Sequence, residues 1–91
     1  MVSWKVKVTN SVGLHMRPAC RICEEALKFK SDIRMIKGSQ SADAKSLISM
    51  LAACVRCGDE VEFACSGTDE EEALGAIKAA AGDDLFKDIP S

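Results

Sequence analysis

Hydrophobic and polar residues alternate from the second position onward, with Val2, Trp4, Val6 and Val8 on one side and Ser3, Lys5, Lys7 and Thr9 on the other. A period of two sends successive side chains to opposite faces, so this stretch predicts a strand with one buried face. Asn10-Ser11-Val12-Gly13 reads as a turn, in which Gly13 supplies backbone angles that a Cβ would resist. The period then changes. Ala19, Ile22, Cys23, Ala26 and Leu27 recur at helical spacing, while Arg21, Glu24, Glu25 and Lys28 fall on the opposite side. An amphipathic helix from about Met16 to about Lys28 follows. Pro18 is tolerated only in its first turn, where the missing N–H has no intrahelical partner, and this sets the helix start beside His15.

Ile33 and Met35 alternate with Asp32 and Arg34, Lys37-Gly38-Ser39 turns, and Gln40 to Asp43 returns, which predicts a hairpin with a weakly apolar second arm. Ser46 stands as N-cap before the apolar run Leu47 to Val55, a short second helix. After Gly58-Asp59, the residues Val61, Phe63 and Cys65 alternate with Glu60, Glu62 and Ala64 in a fourth strand. Thr68 with Glu71 at the third position after it fits a capping box, and adds acidic charge at a helix start. Ala73, Leu74, Ile77, Ala80 and Ala81 continue that helix, with Gly82 as terminator. The tail from Asp83 to Ser91 holds Leu85, Phe86 and Ile89, able to dock as a short turn, and Pro90, which stops anything further; the pattern assigns it no place. The order βαββαβα, with half-polar strands, predicts an α+β sandwich whose antiparallel or mixed sheet has one face covered by helices.

Composition narrows the function. The 91 residues suit a single domain with one modest core, and 47% hydrophobic with 29% charged residues is an ordinary globular balance. A net charge of -2 without a basic run gives no footprint for nucleic acid. The longest uncharged apolar stretch is about half the roughly 20 residues a membrane span needs. The amino terminus alternates at once and lacks an export signal's apolar segment, so a cytoplasmic protein is expected. Five cysteines are then read as reduced thiols.

The candidate chemistry lies at the first helix start. His15 is the only histidine. A lone histidine is ordinarily a satisfied core or surface residue, but this one stands where unpaired N–H groups and a partial positive charge favour an anion. Met16 and Arg17 offer those backbone donors, and the Arg17 guanidinium matches phosphate oxygens. For stability alone, Arg17 is at the wrong end of the helix dipole, a local conflict of the kind that accompanies function.

Gly13-Leu14-His15-Met16-Arg17-Pro18-Ala19 and Ala44-Lys45-Ser46-Leu47, at this separation in a βαββαβα frame, closely resemble the two motifs of HPr. That family comprises the histidine-containing phosphocarriers of the bacterial phosphoenolpyruvate-dependent sugar phosphotransferase system. The resemblance covers nearly the whole chain. It implies an open-faced sandwich, a four-stranded antiparallel sheet with three helices on one face. It further implies that His15, through Nδ1, takes a phosphoryl group from phosphorylated enzyme I and passes it to IIA-type sugar-specific domains, with Arg17 beside it. Ser46 would be a regulatory phosphorylation site for an HPr serine kinase, linking the protein to a catabolite-control transcription factor. Leu47, Ile48 and Leu51, with Cys20 on the same shoulder, would dock partners. The implied protein is a monomeric stoichiometric carrier, not an enzyme, without cofactor or metal.

Two other readings remain in view. A regulatory paralogue would act mainly through Ser46, though it would have no need of His15. A thiol or metal protein would use Cys20-x-x-Cys23 and Cys54-x-x-Cys57. Against the latter, Cys23 and Cys65 fall on core faces, and about 30 residues separate the pairs where common zinc modules have roughly 15 to 20. Met16 is bulkier than the small residue usual in the family beside the histidine, which bears on partner choice.

Overall fold

The amino-terminal alternation forms β1 (Val2–Val8), followed by α1 (Met16–Ala26), the hairpin β2 (Asp32–Lys37) and β3 (Gln40–Asp43), α2 (Leu47–Ala52), β4 (Glu60–Ser66), α3 (Glu70–Leu85) and β5 (Phe86–Asp88). The structure is a computed structural model and describes the backbone of residues 1–88 and the side chains of residues 1–81. The strands form one sheet in the order β3-β2-β4-β1-β5, and every pairing is antiparallel. Its first four strands and three helices make the expected open-faced sandwich. The fifth strand comes from the tail that the sequence pattern left without a place: its backbone pairs with Val6 to Val8 at the sheet edge. The expectations for Ile89 and Pro90, and for docking of the Leu85 and Phe86 side chains, fall outside the described residues.

The register explains the core. Trp4 pairs with Phe63, Val6 with Val61, Ile33 with Cys65 and Met35 with Phe63, so apolar side chains stand in rows across the covered face. Ala19, Ile22 and Ala26 of α1, Met50 of α2, and Ala73 and Ile77 of α3 are all fully buried against that face. On the open face Lys5 stands opposite Glu62 and Lys7 opposite Glu60, favourable cross-strand charge pairs. The β2–β3 link is only Gly38 and Ser39, with φ of Gly38 at 59°, and glycine at the first central position is what a two-residue hairpin turn of type II′ requires.

Helix boundaries depart from periodicity where side chains intervene. The first helix ends at Ala26 rather than near Lys28, with Leu27 as C-cap. The second ends at Ala52 although the apolar run continues to Val55. There the Lys37 ammonium donates to the carbonyls of Ala53 (3.4 Å) and Cys54 (3.0 Å), and Cys54 turns left-handed at φ 54°. A lysine satisfying terminal carbonyls replaces the next helical turn. The third helix continues past Gly82 to Leu85, since an isolated glycine costs a helix only about 1 kcal/mol.

The α3 start also differs from the Thr68–Glu71 box. Glu70 Oε1 accepts from Gly67 N–H at 3.2 Å, one residue earlier than expected. Asp69 reaches across to the α1–β2 connection, accepting from Lys30 N–H and Ser31 N–H at 2.9 Å each and from the Ser31 hydroxyl. The Ser31 hydroxyl and then the Lys30 amide hold the Asp69 carboxyl below its ordinary value of 3.8. A depressed carboxylate contributes stability that is full above that ordinary value and is lost as pH falls through the folded value. Asp69→Asn is therefore expected to lower Tm at pH 7 and to narrow its difference from wild type below about pH 4. Thermal melts of both proteins from pH 7 to pH 2 test this, and a constant difference at every pH would refute it.

Candidate functional site

His15 is the N-cap of α1, in extended backbone conformation at φ -122° and ψ -177°. Asn10 to Gly13 form a tight turn before it: Gly13 N–H donates to Asn10 O at 3.0 Å, and Val12 N–H donates to Asn10 Oδ1 at 2.9 Å. The following amide, Leu14 N–H, donates to Val55 O at 3.0 Å, which ties the turn to the α2–β4 loop. Gly13 adopts φ 75° and lies so close that an added Cβ would be 2.6 Å from Val55 O and 2.9 Å from Arg56 Cα. Leu14 is buried, which anchors the residue before the histidine in the core.

The helix start leaves donors free. His15 O accepts the first intrahelical bond, from Ala19 N–H at 3.1 Å. Pro18 has no N–H, and the His15 side chain caps none of the others. Among the described residues the amides of Met16 and Arg17 therefore stand without hydrogen-bond partners at the positive end of the helix dipole. No acidic residue occupies the first turn. Arg17 and Met16 are exposed and His15 is half-buried. His15 Nδ1 lies 3.1 Å from Gly13 O; a carbonyl only accepts, so in the neutral ring this contact places the proton on Nδ1 and the lone pair on Nε2.

Ser46 is the N-cap of α2 and its hydroxyl accepts from Ser49 N–H at 3.3 Å. Beside it Ile48 is 81% exposed while Leu47 and Leu51 are half-buried against the core, so the apolar helix is open on one side. Cys23 links the two helices. Its thiol donates to Lys45 O at 3.4 Å, burial pushes its pKa up, and the Leu47 amide partly opposes that shift. Cys20 is half-buried on α1, whereas Cys54 and Cys57 are exposed on the α2–β4 loop, and all five thiols are free. Among the described residues no three histidine, cysteine or acidic side chains converge as a metal site, so the two Cys-x-x-Cys pairs are not assembled into one. No described helix is long and apolar enough to cross a membrane.

Two contributors escaped the sequence pattern. The Gly13 carbonyl is a backbone group, and the Val55–Arg56 strut is distant in sequence. The one available signal was Gly13 itself, since a glycine ahead of a helix start marks either a turn or a close approach.

The fold and its comparisons define the chain as a small carrier of phosphoryl groups rather than an enzyme that turns over a substrate. A family model described as the PTS HPr component phosphorylation site matches residues 2–83. The phosphocarrier protein HPr of Mycoplasma pneumoniae is 42% identical over 76 residues, spanning 82% of this chain and 86% of that protein. The HPr-like protein Crh of Bacillus subtilis is 38% identical over 79 residues, spanning 87% and 93%. A solved mycoplasma histidine-containing phosphocarrier protein superposes with a TM-score of 0.85 at 33% identity, covering 87% of this chain and 90% of the other. The chain belongs to the HPr family, the phosphocarriers of the phosphotransferase system.

Proposed function

We propose that His15 accepts a phosphoryl group from phosphorylated enzyme I and delivers it to IIA-type sugar-specific domains. The observation that carries this reading is the pair of free amides at Met16 and Arg17 beside the only histidine. An imidazole lone pair attacks phosphorus as the bond from phosphorus to the donor atom breaks, and that bond's electron pair stays with the donor. The new phosphoryl oxygens are received by the two amides and by the Arg17 guanidinium. For Nδ1 to be the attacking atom, the ring first turns away from Gly13 O, giving up the 3.1 Å contact, and its proton passes through solvent from Nδ1 to Nε2, so that the lone pair lies on Nδ1. Delivery is the reverse attack by the next acceptor. Incubation with phosphoenolpyruvate and enzyme I tests the reading, the expected product being an acid-labile adduct.

The partner surface we assign to Cys20, Leu47, Ile48 and Leu51, with Met16 at its margin. Exposed apolar side chains around a reacting group are what a transient protein partner covers. Ile48→Ser is expected to raise KM for phosphorylated enzyme I about tenfold while leaving the unfolding free energy within about 0.5 kcal/mol of wild type. An unchanged KM in steady-state transfer assays sinks the assignment. Ser46 stands at the margin of the same surface, so a phosphate there would place charge against an apolar partner face. Serine kinase treatment should then give an acid-stable adduct that Ser46→Ala lacks, and its presence in that variant would refute the site.

A further inference from the structure

The α2–β4 loop does more than support the histidine turn. We propose that Arg56 is a second phosphate-binding residue of the His15 site, bringing a guanidinium from that loop opposite the one from Arg17. This rests on His15 being the phosphoryl acceptor.

Position is the first argument. A Cβ added at Gly13 would lie 2.9 Å from Arg56 Cα, and Gly13 O is 3.1 Å from His15 Nδ1. With ordinary bond lengths, those contacts place Arg56 Cα within about 10 Å of the imidazole, and an extended arginine carries its guanidinium about 7 Å from Cα. A phosphoryl group on the ring extends toward it by a further bond and oxygen. The loop is also held still. Leu14 N–H donates to Val55 O at 3.0 Å, Gly58 N–H to Val8 O at 2.8 Å, Val8 N–H to Asp59 O at 2.9 Å, and Asp59 N–H to Arg56 O at 3.0 Å. Residue 56 is therefore pinned to both ends of the turn that presents His15.

Availability is the second argument. The Arg56 side chain is exposed, and its guanidinium has no hydrogen bond or ion pair among the described residues. The nearest acid in sequence, Asp59, accepts from the Arg56 backbone N–H at 2.8 Å and pairs with Lys37 Nζ at 3.1 Å. No acidic residue occurs from Thr9 to Arg21. A phosphoryl group carries up to two negative charges and three acceptor oxygens. Two amides and one arginine leave acceptors over, and Arg56 offers a further cation next to the histidine turn.

The test uses phosphoramidate to phosphorylate wild type, Arg17→Gln, Arg56→Gln and Arg56→Lys directly. A phosphorus NMR titration then reads the second ionisation of the phosphoryl group, and exchange with phosphorylated enzyme I reads its equilibrium. Arg56→Gln should raise the phosphoryl pKa and shift the exchange away from this protein by about threefold to fivefold, with Arg56→Lys between it and wild type. Both differences should shrink in high salt, and Tm of the unphosphorylated variant should match wild type. If Arg56→Gln titrates as wild type does while Arg17→Gln is shifted, Arg56 does not bind the phosphate; a rise only in KM for enzyme I would overturn the proposal and place the residue on the partner. If wild type takes no phosphoryl group on His15, the acceptor reading fails, and this proposal with it.

Discussion

His15→Ala is expected to carry no acid-labile phosphoryl group after incubation with phosphoenolpyruvate and enzyme I, under conditions where wild type is fully labelled. The chain holds no other histidine, so no second imidazole can take over. The neighbouring side chains of Met16, Arg17 and Pro18 offer no nucleophile to replace the imidazole. The loss should be one of chemistry alone. His15 caps its helix through the backbone, with no side-chain capping bond, and among the described residues its ring hydrogen-bonds to Gly13 O. Removing it should therefore cost no more than about 1 kcal/mol. Radiolabel incorporation and thermal melts on the same samples separate the two effects: retained acid-labile label in His15→Ala ends the acceptor reading, whatever the melts show.

The sequence showed most of this site because its parts are local. A proline three positions after the histidine placed the helix start, and the placement of His15 as N-cap follows from it. The four alternating stretches became four strands with their apolar faces on one side, because a period of two admits a single way to bury Val6, Ile33, Val61 and Phe63 together. Ser46 as N-cap was equally local. The misses share one cause, which is a contact from far along the chain. Lys37 ends α2 from the β2 side, Asp69 leaves its own helix to bind Lys30 and Ser31, and Val55 grips Leu14. Periodicity describes what one segment prefers. It cannot say which remote group completes a segment's hydrogen bonds.

That division also orders the site's parts by role. The candidate residues around His15 are read from seven consecutive positions, whereas the groups that hold those seven in place arrive from β2 and the α2–β4 loop. The Lys37 ammonium links this support together, because it bonds the end of α2 and pairs with Asp59 at 3.1 Å, the same carboxylate that fixes the Arg56 amide. The Arg56 amide and then the Lys37 ammonium hold the Asp59 carboxyl below its ordinary value. By linkage, this clasp is fully present above that value and loosens as pH falls through the folded one.

Gly13→Ala is the variant expected to damage both the fold and the transfer. At φ 75° any L-residue pays about 1 kcal/mol for the left-handed backbone. The new methyl would also sit 2.6 Å from Val55 O and 2.9 Å from Arg56 Cα. Both obstacles are backbone, so no side-chain rotation relieves them, and the two loops must part. Parting them breaks the 3.0 Å bond from Leu14 N–H to Val55 O, a further loss of about 1 kcal/mol. The expected total is about 3 kcal/mol in chemical denaturation. The functional loss should exceed the fraction unfolded. Gly13 O contacts the ring at 3.1 Å and the Gly13 Cβ position abuts Arg56 Cα, so a displacement of about 1 Å there can reduce transfer by as much as about a hundredfold. Gly75→Ala is the control. Nothing lies within 4 Å of an added Cβ at that helical position, and the exchange should stabilise by up to about 1 kcal/mol. Were Gly13→Ala as stable as Gly75→Ala and equally quick to transfer, the contact between the histidine turn and the α2–β4 loop would have no part in presenting His15.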